Sequence, residues 1–549
     1  MKFDDVLKHV GEFGLYQKRV YFLLCLFSVF HAMRMVVLVF LQNTPSFRCA
    51  IPDYPNDTYE VTSVDHELKL NRSIPPGDFC HILVTSNSTF DENNRPMNAS
   101  LAKCNRWVFD TSVFTSTIAS QFSLVCDDTT KISHSAMSFY GGLLIGTFIL
   151  GFLSDLIGRK LCLYISLTFL LLLGVGQSFA DSYIAFAILN FFVGVALTGI
   201  FPSAYVIGIE IVGPSKRTNT GMITQLFFST GVVSVAGLAY LIRSWQYLLL
   251  AITAPLVLFF TMWCFIPESP RWQIQKGHYS KARETVLTAA KVNKTSVPQW
   301  ILDVVMPLEK KDDKSLDEEN VQKGKFIDLF KSKTICKRTL ISFFLWFAIA
   351  ITFYGLIFNT TNLGSGSIFL NFFLSGLVEF PAHILTLLTI DKLGRKRVLF
   401  GMMMTSGLAC LGCVLSIMLT AEEHQWLTVT LAMIGKFGAA GCYGCMYMYT
   451  AELFPTVIRN SALGAGTSCA RLGAMFAPYV ALEGAKSGGT LGQGVPLLVF
   501  GCLIVFGGAL LCFMPETLNK KLPETVTDIK NFSNLSKTTE EEEKIELNS

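Results

Sequence analysis

The length and composition of this chain exclude a protein made of one or two soluble domains. Its 549 residues are 51% hydrophobic and 16% charged, and the mean hydropathy is +0.45, which is too apolar for a soluble chain of this size. The net charge of +4 is small and spread over many short loops, so it indicates membrane orientation, and we predict no nucleic-acid partner.

Twelve apolar stretches are each long enough to cross a bilayer. The first has 22 residues and no small-residue cleavage pattern, so we predict a retained span rather than a signal peptide. A short amphipathic segment beginning at Asp4 precedes it, and we assign that segment no chemistry. The predicted spans cover about 20–41, 133–153, 161–178, 183–209, 219–242, 246–266, 336–358, 367–390, 398–420, 426–451, 462–483 and 492–514.

A long polar loop, residues 42–132, separates the first two spans. It carries four of the fifteen cysteines, while the other eleven lie in or beside apolar segments, as packing residues do. It also carries four Asn-X-Ser/Thr acceptor sequences. We predict that the loop is extracellular, oxidised and glycosylated, with all three disulfide connectivities open. The disulfide candidates are Cys49, Cys80, Cys104 and Cys126, and the glycosylation candidates are Asn56, Asn71, Asn87 and Asn98.

A charged glycine turn follows the second span and recurs in the second part of the chain. Asp155-Leu-Ile-Gly158-Arg159-Lys160 is matched 236 positions later by Asp391-Lys-Leu-Gly394-Arg395-Lys396. Both copies lie between apolar stretches that leave only a few residues for the chain to reverse. Their basic residues predict that both turns are cytoplasmic.

Two further pairs of sequences repeat at nearly the same offset. Glu210 and Arg217 are matched by Glu452 and Arg459, and the Pro-Glu pair ending at Glu268 is matched by the pair ending at Glu516. We infer a duplicated six-span unit with a substrate site near the membrane midplane. The predicted parts are a cytoplasmic segment 1–19, an N-terminal bundle 20–266, a cytoplasmic linker 267–335, a C-terminal bundle 336–514 and a cytoplasmic acidic tail 515–549.

Charged residues gather at the predicted cytoplasmic ends of the spans. Ion pairs that are shielded in one state and exposed in another would latch the inner face and separate two conformations. The alternative is that these charges only orient the spans. The residues of the predicted latch are Asp155, Arg159, Glu210, Arg217, Glu268, Arg271, Asp391, Arg395, Glu452 and Arg459.

Four charged residues fall close to the middle of predicted spans, where an ionisable side chain indicates function. Arg34, Lys436 and Arg471 are positive and Glu379 is negative, so an anionic or zwitterionic substrate suits the interior better than a bare cation. Glu379 and Lys436 either pair with each other or face the substrate. Arg471 and Arg34 are therefore our first candidates to bind a carboxylate by paired hydrogen bonds.

Aromatic residues on several spans could receive an apolar or quaternary-ammonium group through cation–π contact. Each of them is also explained by ordinary packing in a membrane core. The residues are Phe201, Tyr205, Phe228, Trp346, Phe353 and Tyr447.

Together with the glycosylated loop, four local sequences resemble the organic cation, carnitine and organic anion transporters of the major facilitator superfamily. These are Ile266-Pro-Glu-Ser-Pro-Arg-Trp272, Val378-Glu379-Phe-Pro381, Gly435-Lys436-Phe-Gly438 and Tyr449-Thr-Ala-Glu452-Leu-Phe-Pro-Thr456. The chain is similar in detail to the insect organic cation transporters and the carnitine branch. The resemblance implies an all-α membrane protein with about twelve transmembrane helices in two six-helix bundles.

The resemblance also implies a substrate pocket. It maps by motif onto Phe201, Gln225, Phe228, Trp346, Phe353, Glu379, Lys436 and Arg471. The cation branch has aspartate at the position of Arg471, whereas arginine there is similar to the carnitine and anion branches.

We therefore predict a plasma-membrane transporter, with both termini cytoplasmic, that moves small organic cations or carnitine-like zwitterions by alternating access. An organic anion exchanger is the alternative, and a facilitative sugar transporter or a non-transporting receptor is less favoured. No nucleotide-binding loop, metal cluster or nucleophile triad is visible in the sequence, so we predict no enzyme activity, cofactor or metal. The expected partners are the substrate, the lipid bilayer and a coupling ion, with sodium and proton both open.

Overall fold

The computed structural model describes residues 3–55, 57–84, 100–307, 326–359, 366–419, 425–486, 489–518 and 520. The fold is a membrane bundle of long helices, as the apolar stretches predict. Eleven helical segments of the described chain are long and apolar enough to cross a membrane. The helix Thr456–Lys486 lies in the place of the eleventh predicted span and completes the set.

The described residues of the N-terminal half form ten α-helices and three 3₁₀ segments. The α-helices are α1 (Phe3–Val10), α2 (Leu15–Val36), α3 (Leu38–Leu41), α4 (Val64–Ser73), α5 (Ile118–Gln121), α6 (Thr130–Ile157), α7 (Arg159–Ser178), α8 (Tyr183–Glu210), α9 (Arg217–Leu241) and α10 (Trp245–Thr253). The 3₁₀ segments are Cys126–Asp128, Pro214–Lys216 and Ala254–Cys264.

The linker and the C-terminal half follow the same plan. The linker forms α11 (Pro270–Gln275), α12 (Tyr279–Asn293), α13 (Gln299–Val305) and a 3₁₀ turn at Phe326–Leu329. The C-terminal half forms α14 (Lys333–Asn359), α15 (Ile368–Leu377), α16 (Glu379–Leu393), α17 (Arg395–Leu419), α18 (Gln425–Leu453), α19 (Thr456–Lys486) and α20 (Gly489–Leu511).

The eighth span is interrupted between α15 and α16, at Val378. Pro381 lies four residues after Leu377 and has no N–H to donate to the Leu377 carbonyl, so the regular hydrogen-bond ladder is broken there. The break places Glu379 in the first turn of α16, where its side chain is fully buried.

The loop between the first two spans folds into two small antiparallel sheets. Strand β1 (Phe47–Cys49) pairs with β4 (Trp107–Phe109), and β2 (His81–Val84) pairs with β3 (Ser100–Lys103). The structure joins Cys49 to Cys104 and Cys80 to Cys126, which is one of the three connectivities left open by the sequence. Of the four glycosylation candidates, Asn71 lies half-buried on α4, and Asn56, Asn87 and Asn98 lie outside the described residues.

A buried ion pair forms the centre of this loop. The Arg48 guanidinium donates to both carboxylate oxygens of Asp57, at 3.0 and 2.5 Å, and His66 Nε2 lies 3.0 Å from the same carboxylate. Burial alone would raise the pKa of Asp57, but the hydrogen bonds from Arg48 and its neighbours hold that pKa below the ordinary value.

The amphipathic N-terminal segment docks on the linker. One face of α1 packs Val6 and Val10 against apolar residues of α12 and α13, among them Val286 and Leu302. Asn293, at the end of α12, accepts from Tyr16 N–H and donates to the Val10 carbonyl and to Gln17 Oε1. This contact fixes the start of α2 against the linker.

Candidate functional site

The two halves enclose a small central cavity of 40 Å³. A second cavity of 320 Å³ shares four of its lining residues, Phe201, Gln225, Tyr447 and Arg471, and extends to Asp155 and Arg159. We call the end of the bundle that carries Asp155 and Arg159 the signature end, and the opposite end, which carries the folded loop, the loop end. The central cavity is lined by His31, Met35, Phe201, Gln225, Phe228, Phe353, Tyr354, His383, Tyr443, Tyr447 and Arg471.

Arg471, on α19, supplies the positive charge of the central cavity. Four tyrosines interact with it electrostatically: Tyr140, Tyr354, Tyr443 and Tyr447. Within the described ranges no carboxylate forms an ion pair with Arg471. A guanidinium held among aromatic rings in this way is a binding group for an anion.

Glu379 and Lys436 pair with each other behind the cavity wall. Lys436 Nζ lies 2.9 Å from Glu379 Oε1, at ion-pair distance without hydrogen-bond alignment, and 3.2 Å from the centre of the Phe353 ring. Ser229, on α9 of the other half, donates to Glu379 Oε2 at 3.0 Å. Both charges are buried, and each is neutralised by the other. Neither residue lines the cavity, so Arg471 is the charged residue of the cavity lining.

The structure does not place Arg34 at the cavity, which corrects the expectation that it holds the substrate carboxylate. Its guanidinium is buried inside the N-terminal half and donates to Gln177 Oε1. Gln177 Nε2 in turn donates to Asn190 Oδ1 at 3.0 Å, and Asn190 Nδ2 donates to the Ser135 carbonyl at 2.8 Å. Arg34 therefore belongs to a polar chain that joins α2, α7, α8 and α6.

The predicted aromatic residues divide into two groups. Phe201, Tyr205, Phe228, Phe353 and Tyr447 line the two cavities, together with the polar Gln225. Trp346 lies behind them, fully buried, with its ring centre 4.7 Å from that of Tyr447 in an edge-on arrangement and its Nε1 donating to Thr450. It orients Tyr447 and does not face the cavity.

Five further lining residues were not among the predicted site residues: His31, Met35, Tyr354, His383 and Tyr443. Helical spacing from a predicted residue contained a signal for three of them and none for Met35. His31 lies one turn before Arg34, His383 one turn after Glu379, and Tyr443 one turn before Tyr447. Tyr354 carried no such signal. In the structure His31 stacks on Phe201 with ring centres 5.0 Å apart. Two imidazoles, those of His31 and His383, line the cavity together with Arg471.

Aromatic side chains close the space between the halves at the loop end. Phe40 packs on Phe372 and Phe369 with ring centres 4.7 and 5.8 Å apart, and Phe369 also meets Phe114 and Tyr240 at 5.4 and 5.6 Å. We call these five residues the outer aromatic cluster. The cavity is therefore sealed from the loop end and continues toward the signature end.

Four of the six predicted latch residues of the N-terminal half form one network at the signature end. Arg159 pairs with Asp155 at 2.8 Å, and the Glu268 carboxylate accepts from the backbone N–H groups of Arg159 and Lys160 at 3.0 to 3.2 Å. Burial raises the pKa of Glu268 above its ordinary value, because the N–H donors offset only part of the desolvation. Glu210 accepts from Ser269 Oγ and lies 3.9 Å from Arg159.

The C-terminal half repeats this network. Arg395 pairs with Asp391 at 3.0 Å and donates through Nε to Glu452 at 3.1 Å, and the Glu516 carboxylate accepts from the Arg395 backbone N–H at 2.9 Å. Arg459 donates to the Phe454 carbonyl at 3.4 Å. Each network lies within its own half.

Arg217 and Arg271 bind neither Glu210 nor Glu268. Both pair with Asp4 of α1, Arg217 at 2.6 Å, and Arg271 also lies over the Phe3 ring. Burial alone would raise the pKa of Asp4, but the two guanidinium groups hold that pKa below its ordinary value of 3.8. The segment to which the sequence assigned no chemistry thus supplies the carboxylate that joins α9 to α11, and we call this contact the Asp4 clamp.

Comparison with known proteins matches the chain to transporters. The family model described as "Sugar (and other) transporter" covers residues 81–528. The Organic cation transporter protein of Drosophila melanogaster is 37% identical over 97% of this chain and 95% of its own. Organic cation/carnitine transporter 2 of Homo sapiens is 33% identical over 95% of this chain and 93% of its own.

Solved structures of a bacterial transporter share the fold. The proton:xylose symporter XylE bound to 6-bromo-6-deoxy-D-glucose has a TM-score of 0.63 at 17% identity, with 93% of this chain and 98% of that chain covered. The inward-open conformation of XylE from E. coli has a TM-score of 0.62 at 16% identity, with 94% and 99% covered. At these identities the likeness establishes the architecture of two six-helix bundles.

Proposed function

This chain belongs to the organic cation, carnitine and organic anion transporters of the major facilitator superfamily, and we propose on that premise that it carries small carnitine-like zwitterions and organic cations by alternating access. Such a protein is a multi-pass membrane carrier and not an enzyme. We place it in the plasma membrane with the signature end and both termini in the cytoplasm, because the basic short loops gather at that end.

The observation that carries the proposal is Arg471, which lines an aromatic cavity and forms no ion pair with a carboxylate of the described residues. A substrate carboxylate would accept paired hydrogen bonds from the guanidinium. The faces of Phe201, Phe228 and Tyr447 would receive a quaternary ammonium group of the same substrate. A zwitterion uses both features, whereas a simple cation has no carboxylate to pair with Arg471 and would be repelled by its positive charge.

Alternating access is supported by the unequal closure of the two ends. The cavity continues to Asp155 and Arg159 at the signature end, while the outer aromatic cluster seals it at the loop end. In the opposite state the cluster would part and the signature end would close around the same central site. The two networks and the Asp4 clamp lie where that closure must occur.

An organic anion exchanger is the second candidate, and Arg471 is the observation that favours it. Anion transport would need no group that binds an ammonium, so the aromatic residues would serve only as apolar lining of the cavity. Sodium, a proton or a counter-transported solute could each drive either process, and His31 and His383 are the lining residues that a proton could reach.

The experiment is uptake of carnitine, tetraethylammonium and benzoate, each with and without sodium, by cells that express the protein or its Arg471→Ala variant. We expect the variant to raise the half-saturating concentration for carnitine by one to two orders of magnitude, since a charged hydrogen bond contributes about 1.5–3 kcal/mol. Tetraethylammonium, which has no carboxylate, is the internal control, and its half-saturating concentration should not rise.

The alternatives give different results in the same experiment. Saturable benzoate uptake without carnitine uptake would establish the anion exchanger. An equal loss of all three substrates in Arg471→Ala would show that Arg471 supports the fold and does not read the substrate. Saturable uptake of none by a protein shown to reach the cell surface would refute transport of this substrate class.

A further inference from the structure

A separate cavity of 420 Å³ lies at the loop end, on the other side of the outer aromatic cluster from Arg471. Its volume falls in the range of small-molecule pockets. Both halves contribute to it: the N-terminal half through residues 43–46, residues 110–114 and the end of α9, and the C-terminal half through the beginning of α15. No residue of this outer cavity belongs to the central site.

Two opposite charges line the outer cavity, and the backbone of one residue holds both. Ser112 donates its N–H to Asp110 Oδ1 at 2.8 Å, and its carbonyl accepts from Arg243 Nη1 at 3.0 Å. Neither Asp110 nor Arg243 forms an ion pair with any residue that the structure describes. Each therefore keeps hydrogen-bonding capacity for a ligand.

The same cavity has an aromatic wall. Phe114, Tyr240 and Phe369 all line it, and Phe369 is in ring contact with both of the others. Their faces and the Asp110 carboxylate suit a quaternary ammonium group, and the Arg243 guanidinium, 5.8 Å from the Tyr240 ring, suits a carboxylate.

We propose that this outer cavity is a second binding site for zwitterions and that its occupancy holds the outer aromatic cluster closed. The inference rests on the proposed function for the class of ligand and for the orientation. Its second part follows from linkage. The site is complete only while Phe369 of one half meets Phe114 and Tyr240 of the other, so a ligand bound there stabilises the closed outer end. High external substrate should therefore inhibit its own uptake.

The first test is the initial rate of carnitine uptake over a wide range of external concentrations. In the unmodified protein the rate should rise, reach a maximum and then fall at least twofold at the highest concentrations. Asp110→Asn and Arg243→Gln should abolish the fall and leave the half-saturating concentration of the rising limb unchanged. Arg243→Gln keeps a donor for the Ser112 carbonyl. The control is Arg106→Ala, which removes an exposed cation from the loop that carries Ser112.

The second test measures binding directly. In purified Arg471→Ala protein the central site is weakened, and carnitine should still raise the thermal midpoint, whereas Arg471→Ala combined with Arg243→Gln should show no shift. A rate curve with no fall at high carnitine, or a fall that persists in both outer variants, would overturn the proposal. A raised half-saturating concentration in the outer variants would also overturn it, because the cavity would then load substrate and not oppose opening. Absence of any carnitine uptake would instead count against the proposed function, which the uptake panel detects separately.

Discussion

The signature ends of the two halves have the same architecture and differ in one partner. In each, a glycine with φ near +100°, Gly158 or Gly394, starts a helix whose first N–H groups bind a glutamate that follows the last span of the half. The N-terminal half adds the Asp4 clamp. The comparison indicates that the inferred repeat has the same glutamate contact at the turn of each half. A segment outside the repeat, α1, adds an ion-pair contact to the N-terminal half.

The turn glycines offer the largest effect and the most direct test of the shared architecture. Their backbone, at φ 107° and ψ 153° for Gly158 and φ 101° and ψ 152° for Gly394, is essentially restricted to glycine. A Cβ at either position would also overlap the glutamate carboxylate. We expect Gly158→Ala and Gly394→Ala each to destabilise the protein by about 1–3 kcal/mol and to lower uptake more than tenfold.

Surface-labelled protein and the thermal midpoint would be measured beside uptake for both variants. Gly401→Ala is the matched control, since a Cβ there meets no atom within 4 Å. A severe effect in only one half would show that the two turns do not do the same work.

The glutamates come next, and here the halves should differ in degree. Both carboxylate oxygens of Glu268 accept hydrogen bonds, whereas Glu516 Oε2 is buried without a partner among the described residues. Replacement of a charged acceptor costs about 1.5–3 kcal/mol where its bonds are made. We therefore expect Glu268→Gln to lower uptake to roughly a tenth and Glu516→Gln to lower it less, with surface expression measured for both. Glu516 Oε1 alone accepts from four backbone N–H groups, those of Arg395, Lys396, Thr517 and Leu518. Equal losses would therefore mean that the second accepting oxygen of Glu268 contributes nothing.

The Asp4 clamp should have a smaller effect that is confined to one half. Asp4→Asn removes the charge shared by Arg217 and Arg271 but leaves the apolar docking of α1 intact. We expect a fall in uptake of roughly two- to fivefold, because these pairs are partly exposed to solvent and screened. Asp5→Asn, at the neighbouring and more exposed carboxylate, is the control. If the two variants behave alike, the asymmetry between the halves has no functional weight.

The smallest expected effect concerns pH. A carboxyl group whose pKa is lower in the folded chain stabilises the fold above its unfolded pKa, and this contribution is lost only as the pH falls through the folded pKa. Because the pKa of Asp4 lies below 3.8, the clamp should persist from pH 8 to pH 5. The anisotropy of a fluorophore attached before α1 should stay constant over this range, and a fall would show that the clamp opens in mild acid.

The sequence predicted the fold, and it predicted that the two charged glycine turns lie at one end, because both depend on patterns local to one repeat. Span length, loop charge and the two copies of the glycine turn placed the helices and brought Arg159 and Arg395 to the signature end. Contacts that depend on the path of the chain were beyond such patterns. Neither the docking of Asp4 nor the turning of Arg34 toward Gln177 has a signature in spacing, because each is decided by which helices become neighbours.

The central site shows the same boundary. Its charged and aromatic residue types were predicted, since ionisable groups in apolar spans are rare and therefore informative. The sequence did not predict which of these residues line the cavity and which lie behind its wall. A helix returns to the same face every 3.6 residues, and which face meets the cavity is set by how the helices pack. Lys436 and Trp346 lie behind the cavity wall, whereas Tyr443 and Tyr447 line it.

The Glu379–Lys436 pair has a consequence for the energetics of the cycle. Both residues belong to the C-terminal half, on α16 and α18, and among the described residues the Ser229 hydroxyl is the one hydrogen-bond partner that reaches the pair from the other half. In the proposed rotation of the halves, the two charges move together and stay paired. The free energy of removing them from water is then common to the inward and outward states and cancels from the difference between them, so the contribution of this pair to that difference reduces to the hydrogen bond from Ser229.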